Sequence, residues 1–267
     1  MSDKQAHYPT SLGVSDIDTI SLFGEDLTED LMGAVGFGEL AFQLVTLRRP
    51  TKGQLRLFET VLVALADHGF TPTAIAARLT FLSAPESLQG ALAAGLLGGG
   101  SRFLGVTEDT GKFLAEVLAA CNGPLPTTQE EWDELARTAV REHTKTTNRV
   151  PGLGHPIHKQ QDPRTPAIMR IAREEDLYGP HLALFEAIGR IAPDVLGRAL
   201  PLNGAGVCGA ALADLGLPVE LLRGFALLAR TAGLLGHLAE ELRRPIANEV
   251  YLSVDRNAIY VPPEKTE

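Results

Sequence analysis

The chain reads as a mainly α protein, and three observations carry that reading. Apolar residues recur at the 3.6-residue helical spacing through most of its 267 residues. No segment alternates polar and apolar residues with period two between hairpin turns, so strands are at most a minor addition. Helix-start signals fall where periodic stretches begin.

Taken in order, the spacing predicts helices over residues 29–47, 53–68, 72–82 and 86–97. His68, just before Gly69, suits a helix C-terminus, where the dipole favours it. Thr71-Pro72 opens the third helix, since proline fits a first turn. Helices follow over 110–121 and 129–145, separated by the short linker 123–128, Gly-Pro-Leu-Pro-Thr-Thr, with Thr128 before Gln-Glu-Glu as a start signal. Four more are predicted over 164–175, 180–191, 205–215 and 218–243. In the last, Arg230 lies within Leu227-Leu228-Ala229-Arg230-Thr231-Ala232-Gly233, where an unpaired charge would be costly, so it is read as a ligand-binding cation. His237 lies near the same face and reads as a core or interface residue.

Composition narrows the function classes. An apolar fraction of 45% and a charged fraction of 21% are ordinary for a globular chain and argue against disorder. Gly, Arg or His interrupts the longest apolar stretches and the opening segment has no signal-peptide pattern, so the expectation is no membrane and a cytoplasmic location. A net charge of −9 argues against nucleic acid. Cys121 and Cys208 stand far apart and imply no disulfide framework. The histidines and cysteines form no zinc-type spacing, no serine nucleophile elbow is present, and the glycines of 95–105 lack the preceding strand of a dinucleotide fingerprint. No metal is therefore expected. The length fits one or two compact domains with a real core.

The richest segment is Pro151-Gly152-Leu153-Gly154-His155-Pro156-Ile157-His158-Lys159-Gln160-Gln161-Asp162-Pro163-Arg164. Its glycines and prolines predict a tight loop whose backbone lies bare to a ligand. His155 can hold or move a proton on a hydroxyl or carbonyl, and the Arg164 fork can pair with a carboxylate. Together they suggest a carboxylated, oxygen-bearing substrate. His143, His158 and His181 lack a spacing that assigns them a role.

This segment resembles the Pro-Gly-x-Gly-His and Asp-Pro-Arg loop of the citrate synthase superfamily. The resemblance runs from about Ser15 to Glu264. Asp67-His68-Gly69 is similar to the segment whose histidine binds the oxaloacetate or citryl portion. The run from Ala93 to Gly105, with Gly-Leu-Leu and Arg-Phe-Leu-Gly, resembles the cleaving branch, citryl-CoA lyase and the lyase module of ATP-citrate lyase. Ala229 to His237, Arg243-Arg244-Pro245 and the tail Ile259 to Glu264 resemble the late helix, the Arg-Pro turn and the Tyr-x-x-Pro-Glu ending. The length matches the stand-alone lyase-type core.

The resemblance implies a citrate synthase-like helical fold, with a large domain over 1–161 and 217–267 and a small mobile domain over 162–216. It implies cleavage of citryl-CoA, or a related 3-hydroxyacyl-CoA, to acetyl-CoA and oxaloacetate or an analogous 2-oxoacid, with coenzyme A entering as part of the substrate and no permanently bound cofactor. His155 and His68 are the implied catalytic groups, Arg164, Arg230 and Arg244 the carboxylate binders, with Arg244 reaching across a dimer interface, and Asn203 and Gln89 further substrate-binding residues. Pro151, Gly152, Leu153 and Gly154 would hold the nucleotide end of CoA, and a homodimer or higher homo-oligomer is expected.

Two departures stand against this pattern. The lyase branch carries a catalytic aspartate in Asn-x-Asp-Gly, whereas the aligned residues here are Asn203-Gly204-Ala205-Gly206, and a methyl group carries no proton. Gln89, in Ser87-Leu88-Gln89-Gly90, stands where the synthases place a histidine; it can donate a hydrogen bond but cannot shuttle charge. Asp214 is no substitute, since nine residues of helix place it roughly 13 Å from Ala205. Three readings follow: a lyase, a condensing enzyme running the same bond in reverse, or a non-catalytic CoA- or carboxylate-binding paralogue.

Overall fold

The computed structural model describes residues 7–155 and 158–263; Pro156 and Ile157 of the glycine-rich loop, and Glu264 of the tail, lie outside the described residues. The fold is mainly α, as the spacing predicts. Eleven α-helices occur among the described residues: α1 (Phe37–Thr46), α2 (Lys52–Ala66), α3 (Pro72–Ser83), α4 (Leu88–Leu97), α5 (Val106–Ala119), α6 (Gln129–Thr144), α7 (Arg164–Glu174), α8 (Pro180–Leu196), α9 (Gly204–Asp214), α10 (Leu222–Arg243) and α11 (Ala247–Arg256). The strands β1 (Gly13–Ser15), β2 (Ile20–Leu22) and β3 (Glu25–Asp26) form a small antiparallel meander, with Gly13 opposite Leu22 and Ser21 opposite Asp26.

Side chains at the helix starts explain the boundaries. Thr51 and Thr128 each accept a backbone N–H three residues on, and Gln54 and Glu131 reach back in reciprocal capping boxes. Thr71 caps α3 with Pro72 in its first turn.

The expected helix over 29–47 is a correction. A π-type turn at Leu27–Leu31, capped by Asp26, ends before Gly33, whose φ of +82° no helix accommodates, and α1 starts only at Phe37. The last expected helix starts as a 3₁₀ turn, Val219–Leu221, before α10. Helix α11 lies beyond the ten expected segments, although Ala247, Val250, Tyr251 and Val254 repeat along it at helical spacing; of its residues only Ala247 is buried.

The main core joins Phe42, Phe58, Leu114, Ile168, Phe185, Leu212 and Phe225, with Phe58 edge-on to Phe42 and Phe225 at 5.5 and 5.3 Å. Segment 162–216 supplies Ile168, Phe185 and Leu212 to this same core as α1, α2, α5 and α10. A smaller core of Ala74, Ala77, Ala91, Leu234 and Leu238 lies between α3, α4 and α10. Helix α10 thus spans both. It meets the end of α2 so closely that a Cβ on Gly233 would lie 1.9 Å from the Ala66 carbonyl oxygen, and this contact brings Arg230 and His237 to the turn after α2.

Candidate active site

Two turns supply the histidines. Helix α2 stops at Ala66, Asp67 turns out in extended conformation, and the Asp67 carboxylate accepts the Gly69 N–H at 2.9 Å, with Gly69 at φ +69°. His68 is therefore half-buried in a tight turn beyond the helix rather than its last residue.

The second turn is stitched to the start of α9. Gly154 N–H donates to Pro201 O at 2.8 Å, Asn203 N–H donates to Gly152 O at 2.9 Å, and Leu153 bridges to Leu202. Asn203 caps α9 by accepting the Gly206 N–H, and its amide nitrogen donates to Gly154 O at 2.9 Å. Gly152 needs its φ of +81°, and a Cβ on Gly206 would sit 2.6 Å from Gly152 Cα. This corrects the expected bare backbone: the Leu153 and Gly154 N–H groups and the Gly152 and Gly154 carbonyls are already hydrogen-bonded. Pro151 is half-buried beside them.

The two turns bring His68 and His155 together, with ring centroids 5.3 Å apart, and add His158 at 4.5 Å from His155. Nitrogens of all three lie within 4.8 Å of one another, close enough to hold a metal ion, a grouping that sequence spacing does not reveal. His155 Nδ1 accepts the His158 N–H at 3.0 Å, which leaves the proton of the neutral ring on Nε2. Burial lowers the His155 pKa below 6.5, with Asp162 opposing the shift, so the ring is neutral near neutral pH.

Asp162 is the buried pivot of the site, a role its place in Asp-Pro-Arg only hints at. It is fully buried, 3.9 Å from His155 Nε2, and accepts the Gly204 N–H at 2.7 Å. Arg164 grips both its oxygens, Nε at 3.0 Å and Nη2 at 2.8 Å. Burial alone would raise the Asp162 pKa, but Arg164 and the Gly204 amide outweigh it and hold the carboxyl far below the ordinary carboxylate range. The Arg164 fork is thus engaged by Asp162, while its Nη1 donates to Ala64 O at 3.2 Å. A Cβ on Gly204 would strike the guanidinium at 2.1 Å. Cys208 beneath it is buried and its thiol is pushed up to about 12, which keeps it inert.

Arg230 differs. It is buried, and its Nη1 and Nη2 make only 3.3 Å bonds to Thr71 Oγ1 and Leu65 O. Its Nε has no partner, and among the described residues it forms no ion pair with a carboxylate. Burial lowers its pKa, with Asp67 opposing. A desolvated guanidinium of this kind is a ready anion site.

The remaining expected residues lie apart. Ala205 is half-buried in the first turn of α9, so the structure holds a methyl group there. Gln89 is exposed at the start of α4, and among the described residues no hydrogen bond joins it to the histidines. Arg244 is exposed at the end of α10, roughly 21 Å along the helix from Arg230. Beside His68 stands a buried group of Arg78, His237 and Glu241; the sequence reads His237 as a core or interface residue but does not signal Arg78 or Glu241.

Residues 24–249 match the model of the citrate synthase C-terminal domain. The chain belongs to the citrate synthase family. Its fold is similar to that of citryl-CoA lyase from Hydrogenobacter thermophilus, with a TM-score of 0.82 and 30% identity over 97% of this chain and 96% of that one. An ATP citrate lyase from Methanosaeta concilii in complex with (3S)-citryl-CoA matches at TM-score 0.74 and 21% identity, over 98% of this chain but 43% of that one. Citrate synthase from Thermotoga maritima matches at 0.65 and 17% identity, over 87% and 59%. No curated protein matches by sequence. Of these three structures, the citryl-CoA lyase is the one matched over nearly the whole of both chains.

Proposed function

We propose that the chain is an acyl-CoA carbon–carbon lyase that cleaves citryl-CoA, or a related 3-hydroxyacyl-CoA, to acetyl-CoA and oxaloacetate or an analogous 2-oxoacid. The observation that carries this reading is the buried Arg230, which pairs with no carboxylate among the described residues and bonds Leu65 and Thr71 on either side of His68, itself paired with His155. It supplies an anion site next to groups that can handle a hydroxyl proton, on a scaffold similar over its length to citryl-CoA lyase.

The tautomer divides the work between the histidines. His155 offers Nε2–H, a donor that steadies the substrate oxygen as it becomes a carbonyl, and His68 takes the hydroxyl proton. The carbon–carbon bond then breaks, its electron pair moves into the acetyl-CoA enolate, and a proton must reach that carbon. Asp162 cannot deliver it, because Arg164 and Gly204 hold it ionised. Water is left to relay it, giving a proton to the enolate carbon and taking up the one His68 holds, which returns that ring to its neutral state. Arg230 binds a substrate carboxylate, Arg164 lends its exposed edge, and Asn203 fixes the loop of Pro151 to Gly154 against which CoA lies.

Arg244 serves a partner subunit, in keeping with its distance from Arg230, and the protein acts as a cytoplasmic homodimer. No helix among the described residues is long and apolar enough to cross a membrane.

One observation favours a second reading, binding without turnover: the methyl group of Ala205. The test is citryl-CoA cleavage by the wild type and by Ala205→Asp. A new carboxyl there, one residue from the amide held by Asp162, would restore an acid at the position where the lyase pattern carries one. A wild type with slow turnover and a gain of roughly 10²-fold in the variant is expected. No turnover in either, with CoA and citrate still bound, moves the protein to the second reading.

A further inference from the structure

The buried group beside His68 has no place in the reaction just described, yet it touches the turn that carries this histidine. Arg78 on α3 is 1% exposed, and its Nε and Nη2 lie 3.2 and 3.0 Å from His237 Nδ1. A guanidinium only donates, so His237 Nδ1 must accept, and its proton must sit on Nε2. That Nε2 lies 2.9 Å from Asp67 Oδ1, and the other Asp67 oxygen closes the turn by accepting the Gly69 N–H. The Phe70 ring covers this assembly, 5.1 Å from the Arg78 guanidinium carbon and 5.8 Å from the His237 ring.

Arg78 is itself held from the far side. Its Nη1 donates to Glu241 Oε2 at 2.7 Å and its Nη2 bonds Glu240. Glu241 Oε1 accepts the Ile246 and Ala247 N–H groups at 2.9 and 2.8 Å, which fixes the start of α11.

We infer that His237 is a positioning residue: Arg78 fixes it as the Nε2–H tautomer, and through Asp67 it aims the turn carrying His68 at the substrate oxygen. The last step rests on the lyase reading. The tautomer and the orientation of His68 do not, and so can be tested separately from it.

The experiment compares wild type, His237→Leu and His237→Gln in the full chain with isotopically labelled histidine. Glutamine can both accept from Arg78 and donate to Asp67; leucine can do neither. In wild type near neutral pH, NMR should report His237 protonated on Nε2 and bare on Nδ1. The His68 ring resonances should shift in His237→Leu and stay close to wild type in His237→Gln. On citryl-CoA, kcat should fall roughly 10- to 100-fold in the leucine variant with KM little changed, and recover in the glutamine variant. A protonated Nδ1 on His237, or unmoved His68 resonances in a folded leucine variant, overturns the inference. A wild type that leaves citryl-CoA intact defeats the lyase reading alone, and the NMR still decides the role of His237. If the leucine variant does not fold, the wild-type tautomer and the glutamine spectrum decide it.

Discussion

Asp162 does more for this site than either histidine beside it. It has no exposed surface, it holds the Arg164 fork, and it accepts the first amide of α9, so His155, Arg164 and α9 share one anchor. Asp162→Asn removes the charge while leaving an acceptor for Gly204, and the partnerless guanidinium should cost roughly 3 kcal/mol, read by urea unfolding at neutral pH. The folded-state pKa is depressed, so this stabilisation is complete above the ordinary 3.8 and fades as pH falls from there towards the folded value. The gap between wild type and variant should therefore narrow progressively as pH falls below 3.8; a gap of constant width across that range would assign the loss to packing rather than charge.

At the scale of elements, close backbone approaches set the geometry. Helix α10 can reach the turn of His68 only because Gly233 has no side chain against Ala66 O. Gly233→Ala should force the helices apart, at a cost of about 1 to 3 kcal/mol, and raise KM through the displaced Arg230. A variant with unchanged melting temperature and KM would mean that α10 is not set by this contact. The helices were legible in the sequence because their buried faces repeat with the helical period, and Thr71 and Thr128 mark two starts; the Thr51 cap emerges only in the structure. Helix α11 was missed although Ala247, Val250, Tyr251 and Val254 repeat with the same period. The break at Gly33 was missed because a periodic apolar pattern runs across it, while the chain there needs a positive φ. His155 and Arg230 were legible from local chemistry, and His68 only through the family resemblance. The clamp on Asp162 and the Arg78–His237–Asp67 chain were not, because their partners come from α3, α9 and α10, up to 170 residues apart.

For the whole molecule, the smaller core between α3, α4 and α10 leaves apolar surface uncovered. Leu235 and Leu242 on α10, Leu88 and Leu97 on α4 and Leu82 on α3 are all exposed. A second copy covering these helices would bury that surface and carry the exposed Arg244 to a neighbouring site. Light scattering at micromolar concentration should give twice the 28.5 kDa chain mass or a higher multiple, and a monomer would remove Arg244 from the account.

The most direct measurement of the central claim is oxaloacetate release from citryl-CoA, coupled to NADH oxidation by malate dehydrogenase, in wild type beside His155→Ala. The account expects slow but measurable turnover in the wild type and its loss in the variant. Turnover that survives in His155→Ala, or none in either protein despite bound CoA, would contradict it.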